Sequence, residues 1–134
     1  MTDHRTLTHA DLRQFTGDLK RYRHWATRSV IYTPGIQFLA ETGGAYWLID
    51  EIVFALGSKH LQRRFEADPR AAEMLFWTLR VSPDASATLA AVVDQDEPPV
   101  FQKQISFTDF PLDQVDIWSA CDGVVWTLYL PSEH

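Results

Sequence analysis

Two adjacent glycines stand directly before an aromatic and apolar run in ETGGAYWLID, residues 41–50. Backbone N–H groups at a helix N-terminus attract anions, and glycine lets a ligand approach the backbone closely. Gly43 and Gly44 are therefore candidate donors to an anion. Neither GxxxxGK[ST] nor GxGxxG is present, so the common phosphate and dinucleotide loops are not indicated. A tight corner that leads from a strand into a buried helix explains the same glycines, and we favour that interpretation.

An acid–base group is the second candidate for chemistry. Asp50 and Glu51 are the charges of the apolar run 45–56, and a carboxylate in such a setting can exchange protons. His24, in the segment KRYRHWATR, would be the acid or base for a small ligand. Alternatively, Asp50 faces water or pairs with an arginine of residues 20–28. The predicted ligand site comprises Tyr22, His24, Gly43, Gly44 and Asp50.

The segment 20–28 also interleaves four basic residues with aromatic ones, a pattern that suits stacked single-stranded nucleic acid. The sequence pI of about 5.2 weighs against that function, and no single-strand-binding signature is present. We expect the aromatic residues to anchor this segment on the core while the cations stay solvated. Direct binding of nucleic acid is not predicted.

Charge is distributed unevenly along the chain. Residues 1–81 hold eleven Lys/Arg and nine acids, a net +2, whereas residues 82–134 hold Lys103 and nine acids, a net −8. A rigid acidic surface complements a basic, nucleic-acid-binding protein, although it also serves solubility. The predicted partner-binding residues are Asp94, Asp96, Glu97, Asp109, Asp113, Asp116 and Asp122.

Metal, thiol and cofactor chemistry receive little support. The five histidines show no ligand spacing, and His4, His9 and His134 lie near the ends of the chain. Cys121 is the single cysteine, so no intrachain disulfide can form, and we expect a buried structural thiol. No cofactor and no metal site are predicted.

The N-terminal residues do not resemble a signal peptide, and no apolar run reaches the roughly 18 residues of a membrane span. We therefore expect a cytoplasmic protein that does not bind membranes. A length of 134 residues predicts one α+β domain, 1–134, and 46% hydrophobic residues are enough for a packed core.

Start and stop signals predict the helices that position these residues. Thr8 can cap a short N-terminal helix. The run 45–56 is long and apolar over a wide face, which predicts a central helix that ends at Gly57. Ser58 can cap a following helix, and Asp68 can cap a short helical turn that begins with proline.

Most of the sequence outside these helices has the residue patterns of β-strands. Residues 30–39 predict a β-hairpin, because Val30–Tyr32 and Ile36–Leu39 are strand-like and Thr33-Pro34-Gly35 is typical of a turn. Asp122-Gly123 predicts a second, two-residue hairpin. A mostly antiparallel sheet of about five strands should pack on the apolar central helix. Its predicted strands are Leu75–Val81, Ala87–Asp94, Val100–Phe107, Gln114–Cys121 and Val124–Leu130.

The motifs LTHADLRQFTG, YRHW, GGAYWLID and FTDFPL resemble a family of small uncharacterised proteins of bacteria, phages and plasmids, catalogued as a domain of unknown function. The resemblance spans nearly the whole chain, with a departure in the charged stretch 57–73. The family has no assigned activity, so no catalytic residue is transferred. The resemblance implies a mobile-element protein that binds host machinery, and anti-CRISPR inhibitors are the obvious class.

Three functional hypotheses follow. The first is a non-enzymatic protein-binding module, such as an anti-defence inhibitor whose acidic surface blocks a basic nucleic-acid-binding protein. The second is a small enzyme or anion-binding domain with its site near Gly43, Gly44 and His24. The third is a homo-oligomeric subunit that associates through exposed aromatic residues such as Trp118 or Trp126.

Overall fold

A computed structural model describes residues 6–17 and 19–134 of the chain; His4 lies outside these residues. Helices and strands alternate early, and strands follow. The helices are α1 His9–Arg13, α2 Pro34–Gly43, α3 Tyr46–Leu56, α4 Lys59–Ala67 and α5 Pro69–Glu73, with a 3₁₀ turn at Pro131–Glu133. The strands are β1 Tyr22–Arg23, β2 Val30–Tyr32, β3 Met74–Val81, β4 Ala87–Val92, β5 Phe101–Ile105, β6 Gln114–Cys121 and β7 Trp126–Tyr129.

The seven strands form one sheet in the order β1-β2-β7-β6-β3-β4-β5. All neighbours are antiparallel except β2 and β7, which run parallel. This parallel pair joins the N-terminal β1–β2 hairpin to the sheet formed by residues 74–129. The predicted α+β class is therefore confirmed, with seven strands in place of about five.

Local capping explains where the helices begin. The Thr8 side chain accepts from the Asp11 N–H, and the Asp11 carboxylate accepts from the Thr8 N–H, which makes a capping box. Ser58 caps α4 and Asp68 caps α5, with Pro69 as the first residue of α5. These three predicted helix starts are confirmed, and α3 has the predicted length and ends at Gly57.

The predicted hairpin at 30–39 is wrong in its second half. Val30–Tyr32 is a strand, but Ile36–Leu39 lies inside helix α2. Thr33 accepts from the Ile36 N–H as the N-cap, and Pro34 follows as the first helical residue. Threonine followed by proline starts a helix as readily as it makes a turn. Ile36, Leu39 and Ala40 then become buried on one helical face.

The N-terminus of α2 holds a carboxylate from a distant part of the chain. Glu133 accepts hydrogen bonds from the Thr33 hydroxyl at 2.6 Å and from the Gly35 N–H at 3.2 Å. A negative charge is stabilised at this end of a helix. Any side chain at Gly35 would collide with the Glu133 carboxylate, so glycine is required for the close approach.

The helices cover one face of the sheet. Leu75, Trp77 and Leu79 on β3 are each at most 1% exposed, whereas the alternate residues of that strand are more exposed. The Trp77 indole donates to Ser119 at 2.9 Å, which satisfies the buried hydroxyl. Across the described residues, no helix combines the length and hydropathy that a bilayer crossing requires.

Candidate functional site

His24 is a buried histidine whose ring is held from both sides. It follows strand β1 and is 3% exposed. Its Nδ1 accepts from the Ala26 N–H at 3.1 Å, so the ring proton lies on Nε2. That Nε2–H donates to Asp50 Oδ1 at 2.7 Å. The imidazole therefore has both nitrogens occupied and ties the segment after β1 to the middle of α3.

The Asp50 carboxylate also holds an exposed aromatic residue. Its Oδ1 accepts from the indole N–H of Trp25 at 2.9 Å. Trp25 is nevertheless 77% exposed. Phe54, one turn after Asp50 on α3, is 56% exposed and meets the Trp25 ring edge to face, with centroids 6.4 Å apart. An exposed aromatic pair is thus fixed in place by a buried histidine and a shared carboxylate.

A cleft of about 480 Å³ lies directly beside this pair. Phe54 forms part of its wall, and Val124, 79% exposed in the β6–β7 turn, forms another part. Buried side chains of Val30, Val53 and Trp126 also line it. We define the Trp25 surface as Trp25, Phe54, Val124 and this cleft. Its lining mixes polar and apolar groups.

Tyr22 packs on the other side of the same region. It is paired with Tyr32 across β1 and β2, and the two rings stack with centroids 5.7 Å apart. Burial, and then the nearby Tyr22 and Asp50, raise the pKa of Tyr32. The hydrogen bond to Glu41 raises the pKa of Tyr46 to about 12. The hydroxyl groups of Tyr32 and Tyr46 therefore keep their protons at physiological pH and can donate hydrogen bonds.

The predicted ligand site is brought together in part. His24 and Asp50 are hydrogen-bonded to each other, whereas Tyr22 stacks on Tyr32 and the glycines lie at the junction of two helices, since residues 36–39 are helical. Gly43 ends α2 against Leu7 and Phe110, where an added Cβ would stand 3.0 Å from each side chain. Gly44 has φ of +61° at this corner, which joins two helices and not, as predicted, a strand and a helix. The Asp50 carboxylate accepts hydrogen bonds from the His24 ring and from the Trp25 indole.

The predicted acidic residues occupy both ends of the sheet. Asp94, Asp96, Glu97 and Asp122 lie in the β4–β5 and β6–β7 turns, which the strand register places at one end. Glu97 forms a two-pronged ion pair with Arg70, which also binds Asp68. Asp122 accepts from the N–H groups of Val124 and Val125. Asp94 accepts from the Asp96 N–H at 3.3 Å, so three of these four carboxylates have internal partners.

The other three acids belong to the opposite end or to the strand between. Asp109 and Asp113 lie in the β5–β6 connection, roughly 23 Å away along the length of an eight-residue strand. Asp113 meets the exposed His9 at 3.3 Å. Asp116 on β6 accepts from the Thr78 hydroxyl at 2.9 Å. The seven carboxylates thus do not gather on a single turn cluster.

The two tryptophans of the oligomer hypothesis differ in exposure. Trp126 is 8% exposed and packs against Phe65, so the expectation that it is exposed is wrong. Its side chain lies on the helix-covered face because Cys121 and Trp126 pair at the start of the last hairpin. Trp118 lies on the open face and is half-buried between Phe76 and His134, with ring centroids 5.1 and 5.2 Å away.

Sequence reasoning missed the exposed position of Trp25, its bond to Asp50 and the neighbouring Phe54. Phe54 lies four residues after Asp50, so both lie on one face of the predicted helix, and that spacing was the available signal. In the part of the chain that the structure describes, no group of three or more His, Cys, Asp or Glu is arranged to hold a metal ion.

No curated protein matches the chain. A crystal structure of a protein of unknown function from Enterococcus faecalis is similar, with a TM-score of 0.47 and 17% identity over 87% of this chain and 93% of that one. The resemblance to an uncharacterised family is confirmed by a family model. That model, the Family of unknown function DUF6876, matches residues 6–134, and the chain belongs to this family.

Proposed function

We propose that this protein is a cytoplasmic protein-binding module whose contact surface is the Trp25 surface. The observation that carries this proposal is the indole of Trp25, 77% exposed and yet bound at 2.9 Å to the Asp50 carboxylate that His24 also holds. An exposed tryptophan with a fixed orientation is the type of residue that dominates binding energy in protein interfaces.

Preorganisation supports this function. Side chains that become ordered on binding each cost about 0.5–1.5 kcal/mol. The hydrogen bond to Asp50 and the edge contact with Phe54 already restrict the Trp25 ring before a partner arrives. The adjoining cleft of about 480 Å³ can accept a large apolar side chain next to the indole. The surface thus combines a protruding anchor with a recess.

Charge around the surface indicates the chemistry of the partner. Arg28 lies between two residues that line the cleft, and Lys59 is one helical turn before the lining residue Gln62. Arg23 precedes His24, and all three cations are exposed. The nearby carboxylates already have partners: Asp50 is bound by two N–H donors, and Asp122 accepts from the backbone N–H of Val124. We propose a protein segment with an aromatic or apolar anchor flanked by acidic residues.

A peptide library displayed on phage tests this directly. Selection against the wild-type protein should enrich peptides with an apolar or aromatic residue beside Asp or Glu. Trp25→Ala should weaken their binding by at least about 30-fold, the effect of an interface hot spot of about 2 kcal/mol. Phe107→Ala is the matched control, because Phe107 is also exposed, at 69%, but lies outside the Trp25 surface.

Equal loss in both variants, or retention of the selected peptides by Trp25→Ala, would refute the Trp25 surface. The anti-defence inhibitor of a basic nucleic-acid-binding protein is the second proposal, supported by the acidic turns at 94–97 and 122. It predicts basic peptides whose binding fails in the Asp94→Asn/Asp96→Asn variant and falls steeply with salt. Binding through the Trp25 anchor should depend on salt much less.

A further inference from the structure

A second cleft lies between α1, the start of β6 and the residues after β7. It has a volume of about 350 Å³ and shares no lining residue with the Trp25 surface. Its floor is apolar, because Leu12, Val115 and Leu130 are each less than 10% exposed. Its rim carries groups of both charges. The ionisable lining residues are His9, Arg13, Asp113 and Asp116.

Helix α1 supplies the cationic side of this cleft. His9 and Arg13 are four residues apart, so they lie one above the other on the same helical face. Arg13 is exposed at the end of the helix. His9 Nε2 lies 3.3 Å from Asp113 Oδ1, and these side chains are 51% and 86% exposed. Such an open pair can exchange partners with a ligand at little cost.

The start of β6 supplies the anionic side. Asp116 is half-buried, and its Oδ1 accepts from the Thr78 hydroxyl at 2.9 Å and weakly from the Gln114 amide at 3.4 Å. These donors fix the carboxylate in place. Asp113, at the mouth of the cleft, adds a second negative charge. Groups of both charges therefore line this cleft above its apolar floor.

We propose that this cleft binds a small zwitterion, namely a free α-amino acid with an apolar side chain. The ligand carboxylate would pair with Arg13, since a guanidinium binds carboxylates in two-pronged geometry. The ligand ammonium would pair with Asp116 and Asp113. The apolar side chain would lie on Leu12, Val115 and Leu130. A simple anion would meet two carboxylates, and a simple amine would meet the arginine, so both charges are needed.

Three related probes separate these possibilities. L-leucine has both charges, N-acetyl-L-leucine has the carboxylate alone, and L-leucinamide has the ammonium alone. Isothermal titration calorimetry should show L-leucine binding at least about tenfold more tightly than either blocked form, because each blocked form leaves the groups of one charge unpaired. Shifts in ¹H–¹⁵N NMR spectra should concentrate at residues 113–116 and 130–132.

Variants locate the two charges. Arg13→Gln should reduce L-leucine affinity about tenfold and abolish the preference over L-leucinamide, with Arg63→Gln on α4 as the matched exposed control. Asp113→Asn, at an exposed position, should abolish the preference over N-acetyl-L-leucine. No L-leucine binding at about 10 mM, equal affinity for the three probes, or an unchanged preference in Arg13→Gln would each overturn the proposal.

Discussion

The two histidine–aspartate pairs of this molecule use the same groups in opposite surroundings. His24 and Asp50 approach to 2.7 Å, with side chains 2% and 33% exposed. His9 and Asp113 approach to 3.3 Å, with side chains 51% and 86% exposed. The first pair has further N–H donors from Ala26 and Trp25, whereas the second lies at the rim of an open cleft.

This difference teaches which pair supports structure and which is available to a ligand. A buried hydrogen-bonded group is costly to leave unpaired, so the hydrogen bond between His24 and Asp50 is part of the folded structure. An exposed ion pair contributes little, because water and salt compete with it. The buried pair positions Trp25, while the open pair can give up its contact to an incoming charge.

The largest effect is expected from removing the imidazole of the buried pair. His24→Ala should lower the free energy of unfolding by about 2–4 kcal/mol, since it leaves a cavity, unpairs the Ala26 N–H and removes one of the two donors to Asp50. His9→Ala is the matched variant and should change it by less than about 0.5 kcal/mol. Urea unfolding followed by circular dichroism measures both, and equal values would abolish the distinction between the pairs.

An intermediate effect is expected from neutralising each aspartate. Asp50→Asn keeps the shape of the acceptor but removes its charge, so the bonds from His24 and Trp25 weaken and stability should fall by about 1–2 kcal/mol. Asp113→Asn should cost less than about 0.5 kcal/mol at low salt and nothing measurable at 1 M salt. A larger loss for Asp113→Asn than for Asp50→Asn would reverse the assignment of the two pairs.

The smallest effect is expected for Asp122, whose carboxylate accepts hydrogen bonds from backbone N–H groups and not from a histidine. The N–H groups of Val125 and Val124 hold the pKa of Asp122 below its usual range. Its stabilising effect is therefore present above the unfolded pKa of about 3.9 and is lost as pH falls through the lower folded value. Asp122→Asn should accordingly lose less stability than the wild type on acidification below about pH 4. Parallel acid-unfolding curves would show that the turn does not depend on this charge.

Much of the fold was predictable from local pattern. Strands β3, β4, β6 and β7 alternate buried and more exposed positions, and the run 45–56 is apolar around most of its circumference, so periodicity predicts these strands and helix α3. Thr33-Pro34 admitted two interpretations, and the helical one prevailed because it buries Ile36 and Leu39. The parallel pairing of β2 with β7 joins segments nearly a hundred residues apart, and no local signal encodes it.

The candidate site was less predictable for the same reason. The sequence placed His24 and Asp50 in one site, but it paired them with Gly43 and Gly44, which form a helix–helix corner where Gly43 is packed and Gly44 is exposed. The exposure of Trp25 depends on how the segment after β1 crosses α3, and that crossing is a property of the assembled sheet. Composition and spacing identify the residue types, whereas tertiary packing decides which of them face water.

The Glu133 carboxylate on the N-terminus of α2 has a consequence for synthesis on the ribosome. Residues 33–43 emerge long before residue 133, so the nascent helix begins with Thr33 as its available side-chain cap. The second cap arrives after the entire sheet has been translated. Capping of α2 by Glu133 is therefore completed last, and a nascent chain that stalls shortly before residue 133 should leave this helix frayed at its first turn.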